Sequence, residues 1–453
     1  VANVNLVTLP ATEVASQIAR GAVSAEDYVR ACLARIEQVE PEIQAFANLV
    51  PDYAIEQARD LDQLRLQGKP LGPLHGIPVA IKDIIDTEDY PTEFGSRLFA
   101  GRRPESDAAI VSKLRAAGAV IIGKTVTTEF AYFHPGKTRN PHDTGRTPGG
   151  SSSGSAAAVA AGMVPLAIGT QTNGSIIRPA SFCGVYGAKP SKGLVPRTGI
   201  LPMSKTVDVA GPFARSLPDL ALLLEVIAGY DAGDSDTRPF VVPNFRAFAE
   251  EDFPIDPRFA FVRTPVWDKA EPDAQRAFEQ LAEKLGDACV RVDFPPEYAE
   301  AWDIHRTIMI AEMAHNLGEI ADRRGDGVSE VLRKLITEGR KVSAVEYQRA
   351  LDEAKQLSAS LASYFQHCNA IITPATTGVA PKGIDTTGDP VFCSLWTLSG
   401  LPSLSLPLLT GEDDLPIGVQ LVGAPHDDAR LMRTANWLIG KLAPKGKRKT
   451  GRA

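Results

Sequence analysis

Near the start of the chain apolar residues recur at helical spacing: Val29, Cys32, Leu33 and Ile36 fall on one face, after a Ser24/Asp27 pair that reads as a capping-box-like helix start. Pro41 is expected to end that helix. From His75 the texture changes. GIPVAIKDIID and GAVIIGK are short apolar runs bounded by Gly and Pro, which predict buried strands, with a helix from Asp107 to Ala117 between them. Residues 135–215 are rich in Gly, Ser, Pro and Thr yet threaded with small apolar residues, so they read as tightly turning core and not as linker. Long amphipathic helices dominate 217–365, Ser343 to His367 among them, interrupted by one strand–helix–strand passage from Phe259 to Val292. The segment is read as helical elaboration of the core. Strands return in NAIITPA, LPSLSLPL and LPIGVQLVG before a closing helix from about Asp427. Strands alternating with helices predict an α/β fold.

A length of 453 residues suggests about three units at roughly 150 residues per domain, but an α/β core can run past roughly 250 residues as one fold. Composition is ordinary for a globular chain, with 44% apolar and 23% charged residues. The formal charge of −7 offers no positive field for a phosphate backbone, which argues against nucleic acid as a partner. Five scattered cysteines without C-x-x-C spacing argue against a disulfide framework or a zinc site and fit a reducing cytoplasm. No basic region precedes an apolar run at the start, and the longest small-apolar run, Ala156 to Ile168, is broken by Gly162 and Pro165; neither a leader nor a membrane span is expected. Residues 441–453, with Lys445, Lys447, Arg448, Lys449 and Arg452, are expected to form a basic, mobile tail.

Two motifs fail on context. Gly118 to Thr125 matches G-x-x-x-x-G-K-[ST], but Ala119 to Ile122 read as a strand whose amides go to neighbouring strands and not to a phosphate. Gly150 to Gly154 matches G-x-S-x-G around Ser152, yet loop residues precede it where a nucleophile elbow needs a strand. The seven histidines show no metal spacing, and Met309, Ile310 and Met313 read as helix core.

Two features remain. Lys82 sits among Val79, Ile81, Ile84 and Ile85, where burial would push its amine toward the neutral, basic form. The stretches PGGSSSGSAAA and GTQTNGSIIRPASFCG are dense in Ser and Gly. A serine needs a base to become a nucleophile, and a Ser-Lys pair supplies one without histidine. Read alone, Lys82 fits a structural lysine better than a catalytic one, and the Gly/Ser stretch fits a tight turn as well as an oxyanion hole.

Taken together, Lys82, Pro148-Gly-Gly-Ser-Ser-Ser-Gly-Ser155, Gly169-Thr-Gln-Thr-Asn-Gly-Ser175 and Phe182-Cys-Gly184 resemble the amidase signature family. The resemblance continues through GKTVTTEF, GAKPSKGLVP, GPFARS, DTTGDPVFCSLWTLSGLPSLSLPL and LPIGVQLVG, and leaves 217–365 poorly matched. It implies one large α/β domain, a mixed sheet sandwiched by helices, and a cofactor-independent, metal-free amidase acting on a small amide. The implied Ser-cisSer-Lys triad is Ser175 as nucleophile, Ser151 as bridge and Lys82 as base. The amides of Thr172, Asn173, Gly174 and Ser175 would form the oxyanion hole, with Ser152, Ser153 and Thr170 as supports around Lys82.

Two departures stand out. Gln171-Thr-Asn-Gly-Ser175 replaces the commoner Asp-Thr-Gly-Gly-Ser, so Asn173 must suit a turn where glycine is usual, and Gln171 and Asn173 are candidates to meet substrate. Arg178 stands one place later than in the commoner Ser-Ile-Arg pattern, which resembles malonamidase-type members, where that arginine holds a substrate carboxylate. The alternative for Arg178 is a buttress of loop carbonyls. The runner-up function is the glutaminase (A-type) subunit of a tRNA-dependent amidotransferase, which would need partner subunits. A non-catalytic scaffold is the rival from another class. A homodimer is the family-level expectation.

Overall fold

The N-terminal part of the chain lays down α1 (Ala11–Ala19), α2 (Ala25–Ile43), β1 (Phe46–Leu49), α3 (Pro51–Leu66), β2 (Pro78–Lys82), α4 (Ala109–Ala116) and β3 (Val120–Thr125). These come from a computed structural model, which describes residues 6–253, 255–323 and 327–443. Ser24 caps α2 by accepting the Asp27 N–H. Pro41 does not end the helix, which runs to Ile43 and stops at a left-handed Gln44 (φ 55°). A proline removes one hydrogen bond from the turn before it but leaves its own φ helical, so the chain completes two more residues.

The central part adds α5 (Ser153–Ala160), β4 (Leu166–Gln171), α6 (Ile177–Phe182), β5 (Tyr186–Lys189), β6 (Val209–Ala214), α7 (Leu217–Ile227) and α8 (Phe245–Glu250). Then come β7 (Phe259–Arg263), α9 (Pro272–Leu285), β8 (Cys289–Asp293), α10 (Ala301–Arg323), α11 (Glu330–Gly339) and α12 (Ala344–Ala362). The chain closes with β9 (Ala370–Pro374), α13 (Val391–Leu398), β10 (Ser403–Thr410), β11 (Pro416–Val422) and α14 (Asp428–Leu442). Lys441 and Leu442, assigned to the basic tail, are therefore helical; residues 444–453 lie outside the described residues.

Among the described residues the strands form one mixed sheet of 11, in the order β1-β3-β2-β4-β6-β5-β10-β11-β9-β7-β8. The single large α/β domain expected from the resemblance is the observed fold. At its heart β3, β2 and β4 run parallel and are buried at every residue. Successive side chains point to opposite faces, so burial throughout means that both faces are covered, which is why these strands read as unbroken apolar runs. Helix α5 packs across β2, β3, β4 and β6.

The passage from Phe259 to Val292 belongs to the sheet: β7 pairs with β9 on one side and β8 on the other. Residues 217–365 therefore finish one edge of the core as well as elaborating it. The phosphate-loop match is a strand, with Val120 to Thr125 forming β3. Its Lys124 is fully buried and donates to Ile85 O (2.9 Å) and Thr92 Oγ1 (2.5 Å), beside the Asp83 carboxylate at 3.4 Å. Among the described residues no helix is long and apolar enough to cross a membrane, and no group of three or more His, Cys, Asp or Glu can hold a metal.

Candidate active site

Strands β2 and β4 are parallel neighbours, with Ile81 across from Ile168, so both deliver their C-terminal residues to one edge of the sheet. Crevices outside the carboxyl ends of such strands are where open α/β sheets bind ligands. Lys82 ends β2, fully buried, with Nζ 2.7 Å from Ser151 Oγ and 2.8 Å from Thr170 Oγ1. Burial holds its amine well below the ordinary lysine range; Asp208 opposes that shift and Arg178 adds to it.

Ser151 lies in the turn entering α5, and the Gly150–Ser151 peptide is cis. Gly149 before it adopts φ 82°, a conformation open to glycine and costly for other residues. Ser152 does not touch Lys82: its hydroxyl exchanges hydrogen bonds with the Thr170 backbone, accepting from N and donating to O (both 3.2 Å). It supports the lysine only by holding Thr170. Ser153 turns away, donating to Val126 O (3.2 Å), and ties α5 to the end of β3.

Ser175 stands between β4 and α6 and lines one narrow cavity of about 20 Å³ with Ser151, Thr172, Asn173 and Arg178. Among the described residues, the amide N–H groups of Thr172, Asn173, Gly174 and Ser175 have no acceptor on the protein. Gln171 explains how the loop stays closed. Its Oε1 accepts from Ile176 N (2.8 Å) and Ile177 N (3.0 Å), and its Nε2 donates to Thr397 Oγ1 (2.9 Å). Buried and spent in this way, Gln171 does not line the cavity, and its candidacy as a substrate contact is corrected to that of a staple. Asn173 lines the cavity, but its φ is not left-handed; its Oδ1 accepts from Ser394 (2.8 Å) and its carbonyl from Thr397 (2.5 Å).

Sequence reasoning missed the other braces. His305 of α10 places Nε2 2.9 Å from Thr172 O, and since a carbonyl only accepts, this ring nitrogen carries the proton. Burial pushes its pKa down to about 4, so the ring is neutral. Asp208 accepts from Thr172 Oγ1 (2.6 Å) and from the amides of Met203 and Ser204 (both 2.8 Å). Helix α10 also supplies Met309 and Met313, read from sequence as core, to the cavity wall beside Met203, Tyr132 and Phe133. The residues turned to the site are 305, 309, 312, 313 and 316: Glu312 accepts from Thr206 Oγ1 (2.5 Å) and Asn316 donates to Met203 O (3.1 Å). That spacing marks one helical face.

Arg178 is buried under the cavity floor and donates to Gly150 O (2.8 Å) and Gly388 O (3.0 Å). It thus clamps the Ser151 turn to the loop before α13. Its guanidinium stacks 5.7 Å from the Phe133 ring, its Nε has no partner, and among the described residues it forms no ion pair. Burial lowers its pKa to about 10.

One pH prediction follows. If Lys82 serves as a base, it does so only as the neutral amine, and activity is then expected to rise with pH through the Lys82 pKa. The Asp208 charge favours protonated Lys82, so Asp208→Asn is expected to move this rising limb to lower pH. Burial raises the Asp208 pKa to about 6, so the two pH–kcat profiles should separate above pH 6 and converge below it. Profiles that stay parallel and unshifted at all pH would disconnect Asp208 from the base.

A buried amine poised on a serine, beside a loop of free amides that carries a second serine, is the equipment of a hydrolase that works through acyl transfer. A family model described as Amidase matches residues 27–432, and the chain belongs to the amidase signature family as an amidohydrolase of C–N amide bonds. The match runs straight through 217–365, which the motifs had left uncovered. The chain is 36% identical over 466 residues to the A-type subunit of the glutamyl-tRNA(Gln) amidotransferase from Chloroflexus aurantiacus, covering 94% of this chain and 95% of that one. It matches, at TM-score 0.89 and 31% identity, a structure described as an unexpected vestigial protein complex that reveals the evolutionary origins of an s-triazine catabolic enzyme, over 95% of this chain and 98% of that one. The native peptide amidase of Stenotrophomonas maltophilia matches at TM-score 0.83 and 30% identity, over 96% of each chain.

Proposed function

We propose that the chain hydrolyses a small, carboxylate-bearing amide without a cofactor, using Ser175 as nucleophile, Ser151 as proton bridge and Lys82 as base. The observation that carries this reading is the neutral-favouring burial of Lys82 at 2.7 Å from Ser151, on the cavity that Ser175 also lines. Lys82 takes a proton from Ser151 as Ser151 takes one from Ser175, whose Oγ bonds to the amide carbon. The carbonyl electrons move onto oxygen, held by the amides of Thr172 to Ser175, a contribution of about 3 kcal/mol for one well-placed donor. As the C–N bond breaks, the nitrogen keeps the electron pair and recovers the proton through Ser151. Water then cleaves the Ser175 ester by the same route.

The carboxylate preference rests on Arg178, a buried cation with an orphan Nε and no counter-ion among the described residues, whose isolation an incoming carboxylate would relieve. Since Arg178 also holds Gly150 and Gly388, Arg178→Ala is expected to slow every substrate. The diagnostic is the ratio: kcat/KM for malonamate over malonamide should fall by a further 10- to 150-fold, the equivalent of roughly 1.5–3 kcal/mol for a hydrogen bond to a charged group. An unchanged ratio would make Arg178 a buttress alone.

A second reading, the glutaminase subunit of a tRNA-dependent amidotransferase, is favoured by full-length similarity to a protein of that name. Glutamine is itself a carboxylate-bearing primary amide, so the chemistry is shared and the assay separates the two. Ammonia release from glutamine that depends on co-purifying subunits supports the second reading. Release from malonamate or another small amide by the isolated chain supports the first.

A further inference from the structure

Strand β3 carries a second buried lysine, Lys124, whose place in the sheet links it to the first. Lys124 lies across from Ile81 and Thr125 across from Lys82, and neighbours along a strand point to opposite faces. Thr125 meets α5 on one face, its Oγ1 2.7 Å from Ser155 Oγ. Lys124, on the other face, reaches the turn by which the chain leaves Lys82. Its Nζ donates to Ile85 O (2.9 Å), Pro91 O (3.3 Å) and Thr92 Oγ1 (2.5 Å) and stands 3.4 Å from Asp83 Oδ1. Ile85 in turn donates its amide to Lys82 O (3.0 Å), as Ile84 does (2.8 Å). The Asp83 carboxylate also accepts the Glu93 amide, at 3.2 Å to each oxygen. One ammonium thus closes both arms of the loop, 83–85 and 91–93, onto the residue that ends β2.

Stability alone does not account for such a pair. Burial pushes the Lys124 pKa down and the Asp83 pKa up, and each charge opposes the shift of the other. A buried ion pair is often no more stable than apolar side chains of the same volume; what it can add is one specified geometry. The geometry at stake here is that of Lys82, whose Nζ must stay within reach of both Ser151 and Thr170 (2.7 and 2.8 Å). Lys124 is itself fully buried, with its ammonium given to the loop, so it acts on the reaction only through that loop. We propose that Lys124, paired with Asp83, is a positioning residue for hydrolysis: it fixes the turn after β2 and so holds Lys82 against Ser151. This rests on the acyl-enzyme reading above.

The test compares the wild type with Lys124→Met and with the double variant Asp83→Asn/Lys124→Met, following melting temperature and ammonia release from malonamate and glutamine. Lys124→Met leaves a buried carboxylate without its cation. A lower melting temperature is expected, with kcat down by about 10²-fold, the scale of a misplacement of about 1 Å at a reacting group. The double variant removes both charges, so most of the lost melting temperature should return while kcat stays about 10²-fold low and KM changes little. Its rising pH limb should also move to higher pH, because a loosened turn lets water reach the Lys82 amine. Asp208 and Arg178, the other charges that act on that amine, are untouched. Recovery of kcat together with the melting temperature would make the pair a structural brace alone and overturn the proposal, as would a pH limb that stays in place. Release from neither amide, or release that survives Ser175→Ala, would remove the acyl-enzyme reading and this inference with it.

Discussion

Ser175→Ala is expected to lower kcat for amide hydrolysis by about 10⁴-fold or more with the melting temperature nearly unchanged, because one hydroxyl is lost from a cavity wall while the proposed nucleophile disappears. Adding Lys82→Met to that variant should cost almost nothing further. Residues that act as one unit are not additive: in the proposed mechanism, without the nucleophile the base has no proton to take. Lys82→Met alone is expected to fall to a similar residual rate, its side chain matching much of the lysine stem in the buried site. Steady-state ammonia release from the three variants closes the cycle. Independent, multiplying losses would mean that Ser175 and Lys82 do not serve one proton path, and a Ser175→Ala enzyme with near-normal turnover would end the proposed mechanism.

Gly154→Ala is expected to be strongly damaging. A Cβ at this position would stand 2.2 Å from Ala45 O and 2.5 Å from Val126 N, and both obstacles are backbone that cannot rotate aside. Gly154 N also donates to Val126 O (3.0 Å), so the start of α5 is bonded to the very chain it would collide with. The helix must shift, and Ser151 and Ser152 shift with it. Overpacking of this kind costs roughly 1–3 kcal/mol and occasionally more. The upper end is expected here, seen as a fall in melting temperature, together with loss of activity in whatever protein remains folded. A variant that melts and turns over like wild type would show that α5 can slide without consequence for the serines.

The parallel core was legible because its chemistry is local. The runs around Val79 and Ile121 are apolar at every position, and only a strand covered on both faces needs that. The candidate triad was legible only through the resemblance, because read alone Lys82 fits a structural lysine and the Gly/Ser stretches fit tight turns. What surrounds them was not legible. His305 lies 133 positions from Thr172 and Ser394 lies 221 from Asn173, and no local pattern carries such partnerships. Met309 and Met313 are buried in the core as their spacing predicts, but they also line the narrow cavity, and periodicity alone does not show that second role. Gln171 misled for a related reason: a polar residue beside a nucleophile suggests a ligand contact, whereas here the loop's own amides consume it.

One rod, α10, carries both the wall of the narrow cavity and the imidazole that steadies the loop of free amides. In the proposed mechanism, choice of substrate and speed of turnover are therefore mechanically linked. Exchanging Met309 or Met313 re-cuts the pocket while His305 keeps its grip one turn away. Inserting or deleting a residue between them turns one group by about 100° relative to the other, so both cannot face the site. For anyone re-engineering the enzyme, residues 301–323 are best moved as one block: point changes along the stripe tune preference, and changes of length dismantle the machine.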